Sequence, residues 1–173
     1  MRRFPHFPYV GFHRYSLTFC TFRRRPLFVE PALVDVVWSQ ILLASADFNF
    51  MVLAYCFMPD HLHLLVEATE VSAELPAFVK RAKQRSGYHG QRVAGNRIWQ
   101  VGYFERVLRE ADDGKEVAAY IVANPLRAGL VEAPENYPFM GSGTYTRAQL
   151  LEFVRTYGSA RVRGDEPGCL RPT

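Results

Sequence analysis

The sequence predicts an α+β domain, on three observations. Short β-rich runs alternate with amphipathic helical runs in the order strand–helix–strand–strand–helix–strand. Two of those strands are joined by a loop short enough only for an antiparallel hairpin. One strand is apolar on both sides, so it reads as a central, fully buried strand. This order is the ferredoxin-like split βαβ pattern, here an antiparallel sheet with flanking helices. A further helix follows it and carries Tyr120.

Taken in order, residues 1–12 read as irregular. Arg14 to Phe22 (RYSLTFCTF) is rich in β-branched and aromatic residues and reads as the first strand. Pro31 opens a helix at its favoured first-turn position. Leu33, Val34, Val37, Trp38, Ile41 and Leu42 then recur at helical spacing to about Ala46. Phe50 to Phe57 (FMVLAYCF) is the strand apolar on both sides. Met58-Pro59-Asp60 is a tight turn, and His61 to Glu67 (HLHLLVE) is the partner strand.

Leu75 to about Gly87 has an apolar stripe of Leu75, Phe78, Val79 and Ala82. Its other face carries Lys80, Arg81, Lys83, Gln84 and Arg85. Arg97 to Arg109 reads as extended. Asp112 and Asp113 are cap candidates for a helix ending at Asn124, because Pro125 disfavours helical geometry in the residue before it. A last, weak helix covers Thr146 to Tyr157. Residues 1–160 read as one domain and 161–173 as a loose tail.

The chain has 173 residues, 49% of them hydrophobic, with net charge +4 and pI about 9.1. That length suits one domain with a real core. Basic residues cluster. Arg2, Arg3, Arg14, Arg23, Arg24 and Arg25 lie in an acid-free stretch. Lys80, Arg81, Lys83, Arg85, Arg92 and Arg97 lie in another. Such clustering is the footprint of phosphate contact, although a solvated basic face would look the same. Cys20, Cys56 and Cys169 form no CxxC pair, which argues against a cysteine zinc knuckle. No apolar run has the length of a membrane span, and Pro5 and Pro8 interrupt the start of the chain. No membrane partner and a cytoplasmic location are therefore expected.

Two segments carry chemistry. In HLHLL the strand alternation puts His61 and His63 on one face, about 6.5–7 Å apart along the strand, where both can converge on one divalent metal. Leu62, Leu64 and Val66 point to the other face. In AAYIVANP, Tyr120 and Asn124 are four residues apart and share a helix face. Each segment alone also reads as structure: half-buried histidines, and an asparagine ending a helix before proline. Together they support phosphodiester cleavage, which needs a nucleophile and charge stabilisation on the phosphate. Tyr120 is the candidate nucleophile. His61, His63 and Asn124 are the candidate ligands, a mixed nitrogen and oxygen set that suits Mn²⁺ and, less well, Mg²⁺.

With these residues in view, YCFMPDHLHLLVE resembles the HUH motif (His, apolar, His) of single-tyrosine transposases. The run IWQVGYFERVLREADDGKEVAAYIVANPLRAGLV is similar to the tyrosine-bearing half of the same family. The likeness spans about residues 14–131 and is nearest to the REP-associated branch, relatives of the small insertion-sequence transposases. It implies a metal-dependent nickase and strand transferase in which Tyr120 attacks a DNA phosphate. The products are a 5′-phosphotyrosine and a free 3′-hydroxyl, with His61 and His63 as ligands. The insertion-sequence branch usually has glutamine where this chain has Asn124. The resemblance also implies single-stranded or hairpin DNA as partner, repetitive palindromic elements among it. For that DNA the expected contacts are Arg14, Arg23, Arg24, Arg25, Lys80, Arg81, Lys83, Gln84 and Arg85, with Trp99, Tyr103 and Phe104 as stacking surfaces. Monomer and homodimer both remain open. A hairpin DNA- or RNA-binding relative that no longer cuts is the competing reading. A zinc hydrolase is disfavoured, as no HExxH pair is present.

Overall fold

A computed structural model describes residues 7–157. The predicted tail, 161–173, lies outside them. Five strands form one antiparallel sheet: β1 (Arg14–Cys20), β2 (Phe50–Met58), β3 (His61–Ala68), β4 (Phe104–Leu108) and β5 (Met140–Gly141). Their order is β4-β1-β3-β2-β5. Helices α1 (Pro31–Asp47) and α2 (Leu75–Ala94) cover one face; α3 (Gly114–Val122) and α5 (Arg147–Tyr157) cover the other. The first four strands and two helices make the split βαβ arrangement expected, and β5 extends it beyond β2.

Strand β3 lies in the centre and its alternation divides the core. Leu62, Leu64 and Val66 pack with Val37, Ile41, Phe78 and Ala82 of α1 and α2. Leu65, on the histidine side, packs with Val117, Ile121 and Val122 of α3 and Leu150 of α5. The histidine face is therefore half covered by α3, which brings that helix to the site. Strand β2 contains a bulge between Val52 and Ala54. The extra residue reverses the alternation. Val52 and Phe57 share the first core, while Ala54, Cys56 and Met58 join the second beside the histidines.

Several element limits differ from the sequence expectation. The first strand stops at Cys20 instead of Phe22, because Thr21 turns the chain: its hydroxyl is shared between the Arg25 and Asp60 carbonyls at 2.8 and 2.9 Å. Helix α2 runs past Gly87 to Ala94 and ends at Gly95, whose φ is +68°. Gly87 and Gly90 do not break it; they let neighbours approach. A Cβ on Gly90 would sit 3.0 Å from Val37 Cγ2 and 3.1 Å from Ile98 Cγ1, and one on Gly87 3.3 Å from Trp99 Cδ1. Only Phe104–Leu108 of the expected extended run is strand.

The tyrosine helix also differs. Asp113 caps α3 as expected, accepting from the Lys115 amide at 2.8 Å. The helix does not end at Asn124. It breaks at Ala123 and restarts as α4 (Asn124–Arg127), with Pro125 in its first turn. Proline has no N–H to give to the Ile121 carbonyl four residues back. The Asn124 side-chain Nδ2 supplies a donor to that carbonyl at 3.3 Å. Strand β5 went unforeseen; beside it, the buried Tyr137 hydroxyl donates to the Phe57 carbonyl at 2.6 Å. Among the described residues, no helix is long and apolar enough to cross a membrane.

Candidate active site

The pairing register places the histidines in a framed site. His63 lies opposite Thr18 of β1 and Cys56 of β2; His61 lies opposite Cys20 and Met58. The two imidazole Nε2 atoms face each other 2.9 Å apart. Each Nδ1 is held from behind. His61 Nδ1 lies 2.6 Å from Asp60 Oδ1, and His63 Nδ1 lies 3.1 Å from Thr18 Oγ1. A carboxylate only accepts, so His61 must donate from Nδ1, which leaves the lone pair on Nε2. Bonds of this kind fix the tautomer and aim of metal-binding histidines.

Electrostatics keep His63 neutral, and hydrogen bonds orient both rings. Burial opposes the charge of Asp60, yet the His61 hydrogen bond and the charges of His61 and Arg24 hold its carboxyl below the usual range. Arg24 Nε lies 2.9 Å from Asp60 Oδ2. Both Arg23 and Arg24 have left-handed backbone, at φ of 57° and 54°. Such geometry is costly for residues other than glycine, and here it accompanies the pairing of Arg24 with Asp60. Burial, then the charges of His61, Arg24 and Arg127, push His63 down to about 3. His63 thus presents a neutral imidazole throughout the physiological range.

The pair fits a divalent ion. Two nitrogens in adjacent corners of an octahedral ion, at bonds of about 2.1 Å, are about 3 Å apart. The 2.9 Å separation matches that span. Among the described residues, no three of His, Cys, Asp and Glu form a group able to hold a metal. A third protein ligand would have to be another residue type, such as Asn124. Asn124 is 5% exposed, and its Nδ2 is on the Ile121 carbonyl. Tyr120 is partly buried on α3. The Arg127 guanidinium carbon lies 4.1 Å from its ring centroid.

The expected DNA contacts divide. Arg23, Arg25, Lys80, Arg81 and Gln84 are exposed. Arg14 pairs with Glu67 at 2.7 Å, and Arg85 reaches Asp47 at 3.3 Å and Gln40 at 3.2 Å. Lys83 does not line a free basic face. Its ammonium bonds the Gln100 and Gly102 carbonyls, with the Gln100 bond at 2.8 Å. Trp99 needs correction as well. It is 5% exposed, packs on Phe19 and Phe28, and donates to Ser86 at 2.8 Å, so it offers no face to a base. Tyr103 packs edge-on against Phe19, and both Tyr103 and Phe104 are half-buried.

What the sequence reading missed is a groove of about 770 Å³ between α2 and residues 97–103, lined by Lys80, Gln84, Tyr88, Gln91, Arg97 and Val101. Tyr88 is 62% exposed there. The reading had stopped α2 one residue short of Tyr88. Thr18, Asp60 and Arg127 were missed too. Asp60 directly precedes His61, which was an available signal. The place of Thr18 depends on a strand register that sequence does not display.

Comparison with known proteins gives the family of the chain. The family described as Transposase IS200 like matches residues 10–124. A Haemophilus influenzae protein described as a REP-associated tyrosine transposase is 23% identical over 132 residues, covering 68% of this chain and 74% of that protein. The Escherichia coli REP-associated tyrosine transposase is 24% identical over 99 residues, covering 57% and 58%. The structure of a REP-associated tyrosine transposase bound to a REP hairpin superposes with a TM-score of 0.66, at 21% identity, covering 81% of this chain and 82% of that one. By its fold and sequence the chain is of the transposase class, and it belongs to the IS200-like transposase family.

Proposed function

We propose that this chain is a metal-dependent nickase and strand transferase that acts on single-stranded or hairpin DNA through Tyr120. The observation that carries the reading is the histidine pair: two Nε2 atoms 2.9 Å apart, each imidazole fixed at Nδ1 by Asp60 or Thr18. A divalent cation would take the place of the direct contact between the two Nε2 atoms as the common partner of both rings.

His61, His63 and Asn124 would hold Mn²⁺ or Mg²⁺. When bound, the ion supplies Lewis-acid polarisation of a phosphate oxygen. The residues of the chain do the rest. Asp60 and Thr18 orient the imidazoles. Tyr120 Oη forms the new bond to phosphorus as the bond to the 3′ oxygen breaks. The phenolic proton leaves to solvent, and the departing 3′ oxygen takes one up. The product is a 5′-phosphotyrosine, which a 3′-hydroxyl can later attack to rejoin the strand. Arg23, Arg25, Lys80 and Arg81 contact phosphates of the stem. The groove beside α2 takes an unpaired base of the flank, with Tyr88 for stacking and Gln84 and Gln91 for its polar edge.

The test is cleavage of labelled hairpin DNA carrying a single-stranded flank, with and without Mn²⁺. Wild type is expected to cut only with metal. His61→Ala and His63→Ala should each abolish cutting while hairpin affinity stays within about threefold. Cutting untouched by either change, accompanied by a lower melting temperature, would make the histidines structural. Tight binding with no cutting by wild type would favour the non-cutting relative.

A further inference from the structure

Two guanidiniums act by charge on His63, those of Arg24 and Arg127. They differ in what else they touch. Arg24 is committed to Asp60 at 2.9 Å. Arg127 is exposed, and among the described residues its guanidinium makes no hydrogen bond and no ion pair. Its guanidinium lies over the Tyr120 ring, with Cζ 4.1 Å from the centroid.

That contact follows from the break in the tyrosine helix. Tyr120 and Arg127 are seven residues apart, two turns of a helix, which returns both to one face. The interruption at Ala123 and the fresh start at Asn124 retain that alignment across Pro125. A guanidinium lying over an aromatic ring applies its own flat face to it, so its N–H groups radiate from the rim. Those N–H groups match the spacing of two phosphate oxygens. An exposed cation–π contact is worth only about 0.5–1 kcal/mol, too little to need an arginine here for stability. Arg127 thus touches the candidate nucleophile and acts by charge on His63 while its N–H donors have no protein acceptor among the described residues.

We propose that Arg127 binds the scissile phosphate, holding phosphorus beside the Tyr120 hydroxyl and offsetting the charge that builds on the non-bridging oxygens. It makes no covalent bond and moves no proton. The inference rests on the Tyr120 reading above.

Three substitutions separate charge from packing in single-turnover formation of the protein–DNA adduct with Mn²⁺ and flanked hairpin DNA. Arg127→Ala should slow the adduct by about 10²–10³, as removal of one preorganised charge-stabilising donor does. Arg127→Lys keeps a cation and should recover at least about tenfold of that loss. Arg127→Met keeps an apolar stem over the ring without charge and should recover none. Hairpin affinity, measured in parallel, should stay within about threefold for all three, since only one of many phosphate contacts changes. Wild-type rates in Arg127→Ala, or recovery by methionine equal to that by lysine, would overturn the inference and leave Tyr120 as nucleophile untouched. Absence of any adduct from the wild-type chain would overturn the parent reading and this one together.

Discussion

At the scale of single residues, the site is built around one histidine held neutral by burial, His63. His63 has an ordinary imidazole value near 6.5 when unfolded and about 3 when folded. Between those values the unfolded chain binds more protons than the folded one. Stability therefore falls as pH drops from about 6.5 toward 3, and the contribution is fully present above 6.5. Urea midpoints of metal-free protein at pH 7 and 4.5 check this: His63→Gln should lose less stability over the interval than wild type. Equal losses would mean that carboxylates elsewhere set the acid limit. Asn124 has two assignable jobs, one on the Ile121 carbonyl and one toward a metal. Asn124→Asp separates them. It keeps the oxygen and removes the donor, so Mn²⁺ affinity should persist while stability falls by about 1 kcal/mol. Loss of Mn²⁺ binding in a variant folded as well as wild type would remove oxygen ligation from its role.

At the scale of elements, legibility followed periodicity. The β3 alternation showed which side each histidine takes, because a period of two needs no tertiary knowledge. The edges of the elements were less visible for reasons that lie in the packing. Gly87 and Gly90 look like helix stops in sequence, yet α2 needs them small so that Trp99, Val37 and Ile98 can approach. Gly90→Val should therefore cost about 1–3 kcal/mol by overpacking, despite the better helix propensity of most residues over glycine. A thermal melt that rises in this variant would contradict the packing account. The bulge in β2 and the register that sets Thr18 against His63 left no local signature, since both are agreed between strands far apart in sequence. Trp99 was misread for a related reason: its partner Ser86 is supplied by another element.

At the scale of the whole molecule, charge clustering was only half informative. The acid-free stretches are real in sequence, but folding pairs Arg14 and Arg24 with carboxylates and places Lys83 on backbone carbonyls. The cations left exposed, Lys80 and Arg81 among them, are the ones expected to release counterions from DNA. Affinity should fall with salt at a slope of about −0.7 to −0.9 per phosphate neutralised. Lys80→Ala with Arg81→Ala should flatten that slope by about one to two contacts, whereas Lys83→Met should mainly lower thermal stability. Fluorescence anisotropy across a salt series reads the first effect, and an unchanged slope in the double variant would leave that face solvated only. A flanked hairpin should bind more tightly than linear duplex of equal length.

The central claim is that Tyr120 becomes covalently joined to DNA. It is tested most directly by digesting the Mn²⁺-dependent adduct with trypsin and nuclease and sequencing the modified peptide by mass spectrometry. Cleavage after Lys115 and Arg127 releases a peptide in which Tyr120 is the sole tyrosine. The expected result is a nucleotide joined through its 5′ phosphate to that residue, absent from Tyr120→Phe. A nucleotide on any other residue, or an adduct that persists in Tyr120→Phe, would contradict the assignment.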